Sequence, residues 1–265
     1  GRRARADVEP GVSEAQRVTA VATDPRAGEP ARAIPWPRRP VRKWAVWRFN
    51  WIAHHAIIGA LEHARVHARG VLLDVGCGAR PFERLFQGRV SRYWGADLPD
   101  SRFTGPGQRP DIHARGEQLP VRTAAVDTVL GVSMLTYFTD PAAMLAEAHR
   151  VLKPGGMLLL EFTQMAPLHD EPWDFFRFTR YGAQVLLERA GFEPLDFIPI
   201  GGLWSRVGLS VIAGLNRVNR GPTRVITELP VRLAYVIVQV ACVALDRVFA
   251  NPREVLAHLV VARRR

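Results

Sequence analysis

Two groups of residues in this 265-residue chain have types and spacings that could do chemistry. The first is Asp74–Val75–Gly76–Cys77–Gly78, with Asp97 following 23 positions after Asp74. Gly76 and Gly78 let the backbone take positive φ and let a ligand come close, since neither carries a Cβ. An acid at the end of the next strand can accept hydrogen bonds from two ribose hydroxyls. The second group is His169, Asp170 and Glu171, with Asp174 and Arg177 close behind. An imidazole titrates near neutrality, so it can take a proton from a substrate hydroxyl. A neighbouring carboxylate could orient it or bind sugar hydroxyls. A guanidinium could pair with a substrate carboxylate or phosphate, or simply with Asp174. In that last case the segment is a lid with an internal salt bridge.

These residues need elements to hold them. The apolar run Val71–Val75, ending in a glycine turn, has the pattern of a buried parallel strand. Pro81 fits the first turn of a helix reaching Phe86. A strand, a glycine turn and a helix start make a nucleotide-type site at the carboxyl end of a sheet. The turn is not the dinucleotide fingerprint, because Pro81 holds the third glycine position. Val90–Leu98 reads as a second strand ending in Asp97, and 99–110 as a Pro- and Gly-rich loop. Ala125–Val132 reads as a further strand. Asp140 and Pro141 can cap and start a helix that runs to Val151. A proline-glycine turn then leads into an apolar strand. Thr179 opens a helix over Tyr181–Ala190 whose apolar face includes Val185, Leu186 and Ala190.

Four of these stretches, in this order, resemble class I S-adenosylmethionine-dependent methyltransferases of the type-11 group. They are Asp74–Gly78, Asp97, the pair Glu117–Pro120 with Val126–Leu130, and Arg150–Val151–Leu152–Lys153–Pro154–Gly155–Gly156. The resemblance covers about residues 70–200. It implies an α/β, Rossmann-like, seven-stranded and mostly parallel sheet flanked by helices. Strands alternating with helical segments point to the same class independently. It also implies S-adenosylmethionine as cofactor, with Asp74, Gly76, Cys77 and Gly78 along the methionine part and Asp97 on the ribose. By the same resemblance Leu98 packs on the adenine, and Gly116 and Glu117 lie near its amino group. Ser133 and Met134 border the sulfonium. Residues 167–182 resemble a segment of methyltransferases found with bacterial cell-surface polysaccharide enzymes. That makes His169 the candidate base and Asp170, Asp174 and Arg177 candidate acceptor ligands.

Outside this core the chain divides further. Residues 1–40 are rich in Arg, Ala, Pro and Gly with few large apolar groups, and are expected to be a disordered basic arm. Residues 41–69 have helical spacing through Trp44, Trp47, Trp51, Ile58 and Leu61, and are expected to cover the cofactor cleft. Four histidines there lack any accompanying metal-ligand motif, so no metal is expected. Residues 201–265 read as an apolar, basic, helical extension over 203–218 and 229–249. A final strand is expected at Val255–Val261, with the last three arginines hanging free. The run Leu233–Leu245 is shorter than the ~20 apolar residues that span a bilayer. It is expected to pack on the core or a second subunit, or to lie on an anionic membrane.

Charge narrows the partners. The net charge is +11, split as +5 over residues 1–43, −1 over 44–200 and +7 over 201–265. A nucleic-acid enzyme usually carries its basic surface beside its active site. Here the candidate core is neutral, which argues against nucleic acid. Two distant cysteines, Cys77 and Cys242, and no apolar leader in the first forty residues suit a cytoplasmic protein. The expectation is a bacterial O-methyltransferase of a sugar, glycan or lipid-linked glycan. A natural-product methyltransferase and a non-catalytic scaffold are the alternatives.

Overall fold

The computed structural model describes residues 45–99, 101, 103, 110–219 and 224–265. The expected arm at 1–40 and most of the 99–110 loop lie outside these residues. Seven strands form one sheet: β1 Val71–Val75, β2 Arg92–Asp97, β3 Ile112–His113, β4 Val126–Gly131, β5 Leu152–Thr163, β6 Phe192–Ile200 and β7 Ala257–Arg264. Their order is β3-β2-β1-β4-β5-β7-β6. The first five are mutually parallel, and β7 runs antiparallel between β5 and β6. The sheet is the seven-stranded, mostly parallel one expected.

Helices cover both faces: α1 Trp51–Ala64, α2 Glu83–Phe86, α3 Pro141–Val151, α4 Arg180–Arg189, α5 Leu203–Val218 and α6 Arg224–Val248. Alternate residues of the central strands feed two cores. Leu73, Val129, Leu158 and Val260 join Met144 and Leu145 of α3 and Ala183 and Leu187 of α4. Leu72, Leu130, Leu159 and Val261 join Ala60, Leu61 and Ala64 of α1. Burial on both faces explains why these strands read as continuous apolar runs rather than alternating ones.

The caps form as read. Asp140 accepts the backbone N–H groups of Ala142 and Ala143, and Thr179 accepts that of Gly182. Elsewhere the boundaries differ for physical reasons. The helix expected from Pro81 begins at Glu83, because Arg80 takes φ 53° and the chain turns first. α1 starts only at Trp51, and Trp47 stands 51% exposed ahead of it. Residues 45–50 are instead a turn held by Gln239, whose amide donates to the carbonyls of Val46 (2.5 Å) and Arg48 (3.1 Å). On α4, Ala183 and Leu187 are buried, the expected Leu186 and Ala190 pack against the same core, and Val185 faces out. The last strand is later and longer than expected. Arg263 pairs with Glu193 at 2.7 Å, Arg264 donates to the Leu152 carbonyl, and the Arg265 N–H donates to Gly191 at 3.1 Å, so these arginines do not hang free. The second C-terminal helix extends to 25 residues, and it is long and apolar enough to cross a membrane by length and composition. The helix expected over 229–249 missed its first five residues, and the run Leu233–Leu245 is only its middle.

Candidate functional site

The sheet reverses its strand order between β1 and β4, and the crevice at their carboxyl ends is where such folds hold ligands. The turn after β1 enters this crevice. Gly76 and Gly78 have φ of 72° and 50°, a region that favours glycine. The N–H groups of Gly76 and Cys77 both donate to the Ala96 carbonyl, at 2.8 and 3.2 Å, which ties the turn to β2. Asp97 ends β2. Its carboxylate receives the N–H of Gly78 at 2.7 Å and that of Leu98 at 2.7 Å. The ribose-type acceptor is thus aimed by the glycine turn itself.

Asp74 is buried on β1 and accepts the Tyr93 hydroxyl at 2.5 Å. Burial pushes its carboxyl up to about 7, against the opposing effect of that hydrogen bond. Cys77 is also buried, and desolvation holds its thiol well above the usual range, so it is no nucleophile. The neighbouring Arg80 pairs with Asp111 at 2.5 Å, and Asp111 also accepts the Gly95 N–H at 2.8 Å. Gly116 is buried against the Phe138 ring and Val75, and Glu117 lies 3.9 Å from Arg115.

The turn after β4 forms the other wall. Ser133 takes φ 53°. Its N–H and hydroxyl both donate to Glu161 of β5, at 2.5 and 2.7 Å. Glu161 is buried, and desolvation raises its carboxyl to about 7. Met134 reaches across the crevice, where a Cβ on Gly76 would stand 3.1 Å from the Met134 Cβ. Tyr137 follows, its N–H donating to the Met134 carbonyl at 3.0 Å. Its ring meets His169 edge-on with centroids 6.2 Å apart, and its hydroxyl donates to Asp170 at 2.8 Å. Contacts therefore run from Gly76 through Met134 and Tyr137 to His169.

The loop after β5 carries His169. Asp174 is its anchor, accepting the His169 N–H at 3.0 Å and two nitrogens of Arg177. Arg177 also donates to the carbonyls of Ala166, Pro167 and Phe176. The guanidinium holds the Asp174 carboxyl below the usual carboxylate range. His169 Nδ1 stands 2.9 Å from the Pro167 carbonyl and 3.3 Å from Asp174 Oδ2. The nearest partner, the Pro167 carbonyl, and Asp174 only accept, while an Arg177 nitrogen that only donates stands 3.4 Å away; the shorter contacts favour the tautomer with hydrogen on Nδ1 and the lone pair on Nε2. The side chain keeps 42% of its surface exposed.

The structure thus brings Asp74, Gly76, Cys77, Gly78, Asp97, Leu98 and Met134 together, with Ser133, Gly116 and Glu117 alongside. His169, Asp170 and Asp174 gather at the adjoining loop. Arg177 sits inside that loop as the partner of Asp174. Three contributors escaped the sequence reading. Glu161 was detectable as the lone acid in the apolar strand Met157–Phe162, and Tyr93 as the polar aromatic one strand from Asp74. Tyr137 was marked in the sequence only as the tyrosine standing where the resembled family often has a histidine. Among the described residues, no group of three or more His, Cys, Asp or Glu is arranged to hold a metal ion.

Residues 73–160 match the family described as "Methyltransferase domain". A protein of Mycolicibacterium smegmatis named "Probable S-adenosylmethionine-dependent methyltransferase" is 29% identical over 160 residues, covering 57% of this chain and 62% of that one. The ubiquinone biosynthesis O-methyltransferase of Dinoroseobacter shibae is 30% identical over 168 residues, covering 51% of this chain and 66% of that one. The chain thus spans less than two thirds of each of these relatives. The solved structure of the 4+2 cyclase SpnF superposes with a TM-score of 0.54, 20% identity and 90% coverage of both chains, a likeness of fold. The sheet order, the glycine turn with Asp97 and the matched segment define the class. The chain carries a class I S-adenosylmethionine-dependent methyltransferase domain around residues 73–160. S-adenosylmethionine is its cofactor. The residues present fit it: Asp97 offers acceptor oxygens suited to a diol, and the Cβ-less Gly76 leaves the gap beside Met134 that any side chain would fill.

Proposed function

We propose that the protein methylates a hydroxyl oxygen of a sugar, glycan or lipid-linked glycan, with His169 as general base. The observation that carries this reading is the pose of His169. Its Nδ1–H points at Pro167 and Asp174, which leaves Nε2 as the proton acceptor at an exposed position beside Tyr137. S-adenosylmethionine, when bound, supplies an electrophilic methyl group. Gly76, Gly78 and Asp97 would hold it, with Met134 beside the glycine turn. His169 Nε2 receives the proton of the acceptor hydroxyl, and Asp174 stabilises the imidazolium that results. The Tyr137–Asp170 pair offers further groups to sugar hydroxyls. Arg177, committed to Asp174 and to three carbonyls, keeps the loop in shape. The choice of a glycan over a small natural product rests on the resemblance of residues 167–182.

Radiolabelled methyl transfer to a panel of saccharides and lipid-linked saccharides tests the reading. His169→Ala should lower transfer by roughly a hundredfold or more, the usual loss for a missing base. It should bind S-adenosylhomocysteine as the wild type does. Unchanged transfer in the variant would remove His169 from the chemistry. Transfer confined to small natural products would move the acceptor to that class.

A further inference from the structure

Helix α6 presents two unlike sides. Tyr235, Gln239 and Cys242 face inward and are buried. Gln239 joins the helix to the turn before α1, accepting the Ile52 N–H at 3.0 Å besides its two donated bonds. Asp246 caps α5 by accepting the N–H groups of Trp204 and Ser205, each at 2.9 Å. The outward side is aliphatic. Ile226, Leu229, Leu233, Ile237, Val240 and Val248 recur at helical spacing and are all at least half exposed. From Ile226 to Val248 the stripe is about 33 Å long. Continuous apolar patches of that extent mark protein or membrane contacts.

The charges choose between these. Residues 203–254 contain seven arginines and three acids. All three acids are engaged: Glu228 with Arg224 and Arg232, Glu254 with Arg206, and Asp246 as the cap of α5. Arg217, Arg247 and Arg253 are exposed. α5 and α6 pack side by side and are joined by a short connection, so Arg217 lies toward one end of the stripe and Arg247 and Arg253 toward the other. Cations bordering an uncharged apolar stripe suit an in-plane helix whose arginines reach anionic headgroups while its aliphatic side chains enter the acyl boundary. Crossing the bilayer would strip the Gln239 and Asp246 bonds, whereas lying on it uses only the outer side.

We propose that the outward face of α6 docks the protein on an anionic lipid bilayer, with the helix in the plane of the headgroups. The inference does not depend on methyl transfer. It does bear on where the site faces. The chain leaving α6 returns at Leu256, whose carbonyl accepts the N–H groups of Gln164 and Met165, both at 2.9 Å. The start of the loop that carries His169 is thereby tied to the segment that follows α6, and Leu168 on that loop is 70% exposed.

The test is flotation of the full chain with phosphatidylcholine vesicles, with and without phosphatidylglycerol. The wild type is compared with Leu233→Glu/Ile237→Glu, two exposed positions whose change leaves the core intact, as a matching melting temperature would verify. The wild type should float with the anionic vesicles alone. The double variant should partition at least about tenfold less, having exchanged two inserted aliphatic side chains for charges. Equal flotation of the two proteins would overturn the proposal and assign binding to the basic arm. So would equal flotation with neutral vesicles, or no flotation at all. A wild-type dimer that the double variant converts to monomer, seen by analytical ultracentrifugation without vesicle binding, would overturn it in favour of a second copy.

Discussion

The turn after β1 and the loop after β5 stand at the same end of one sheet and are built in opposite ways. The turn is a backbone construction: Gly76, Cys77 and Gly78 give their N–H groups to Ala96 and Asp97, and strand register does the rest. The loop is a side-chain construction, in which Asp174 and Arg177 gather the backbone of residues 166–177 around themselves. Backbone sites suit a ligand that never changes, because few side chains need to match it. Side-chain loops can change shape with a few substitutions, which suits a variable acceptor. The difference teaches that the two halves of the site should fail separately.

Four perturbations sharpen or break that separation, taken from the largest effect down. Asp174→Ala removes the acceptor shared by His169 and Arg177. Methyl transfer should fall by about a hundredfold or more, with S-adenosylhomocysteine affinity kept within about twofold, as titration calorimetry would read. Equal losses in both would mean that the halves are one unit. Gly95→Ala attacks the other half. A Cβ there would lie 2.6 Å from Cys77 Sγ and 2.9 Å from Arg80 Nε. Chemical denaturation should show a loss of about 1–3 kcal/mol from overpacking, with weakened cofactor binding.

The third concerns pH. Asp74 and Glu161 have folded values raised to about 7. Between the ordinary carboxylate range and that value, the folded state holds protons that the unfolded state has released. Their contribution to stability therefore declines as pH rises from about 4 through 7, and is level above. Glu161→Gln, which still accepts from Ser133, should show a flatter melting temperature between pH 5 and 8. An identical slope would remove Glu161 as a source. The smallest effect is Val185→Gln on the outer face of α4, 45% exposed, expected within about 0.5 kcal/mol of wild type by denaturation.

The sequence disclosed the parts governed by local rules. Apolar runs, caps at Asp140 and Thr179, and the glycine turn with Asp97 all act over a few residues or one strand-to-strand step. What it hid depends on distant partners. Glu161 looks like an odd acid until Ser133, 28 positions away, is brought to it. The start of α1 is set by Gln239, 187 positions beyond Ile52. The internal role of Arg177 was readable only as one of two alternatives, because the choice depends on how the loop closes around Asp174. On α4 the expected Leu186 and Ala190 do pack against the core and only Val185 turns outward, because packing rather than local sequence decides which apolar residues face inward.

The most direct test of the account is isothermal titration of the purified chain with S-adenosylhomocysteine, beside Asp97→Ala. Asp97→Ala removes the ribose acceptor and leaves the N–H groups of Gly78 and Leu98 without theirs. Micromolar-range binding is predicted for the wild type, weakened by about a hundredfold in the variant, as loss of charge-assisted hydrogen bonds implies. Absence of binding in a folded wild-type sample, or equal binding by the variant, would contradict it.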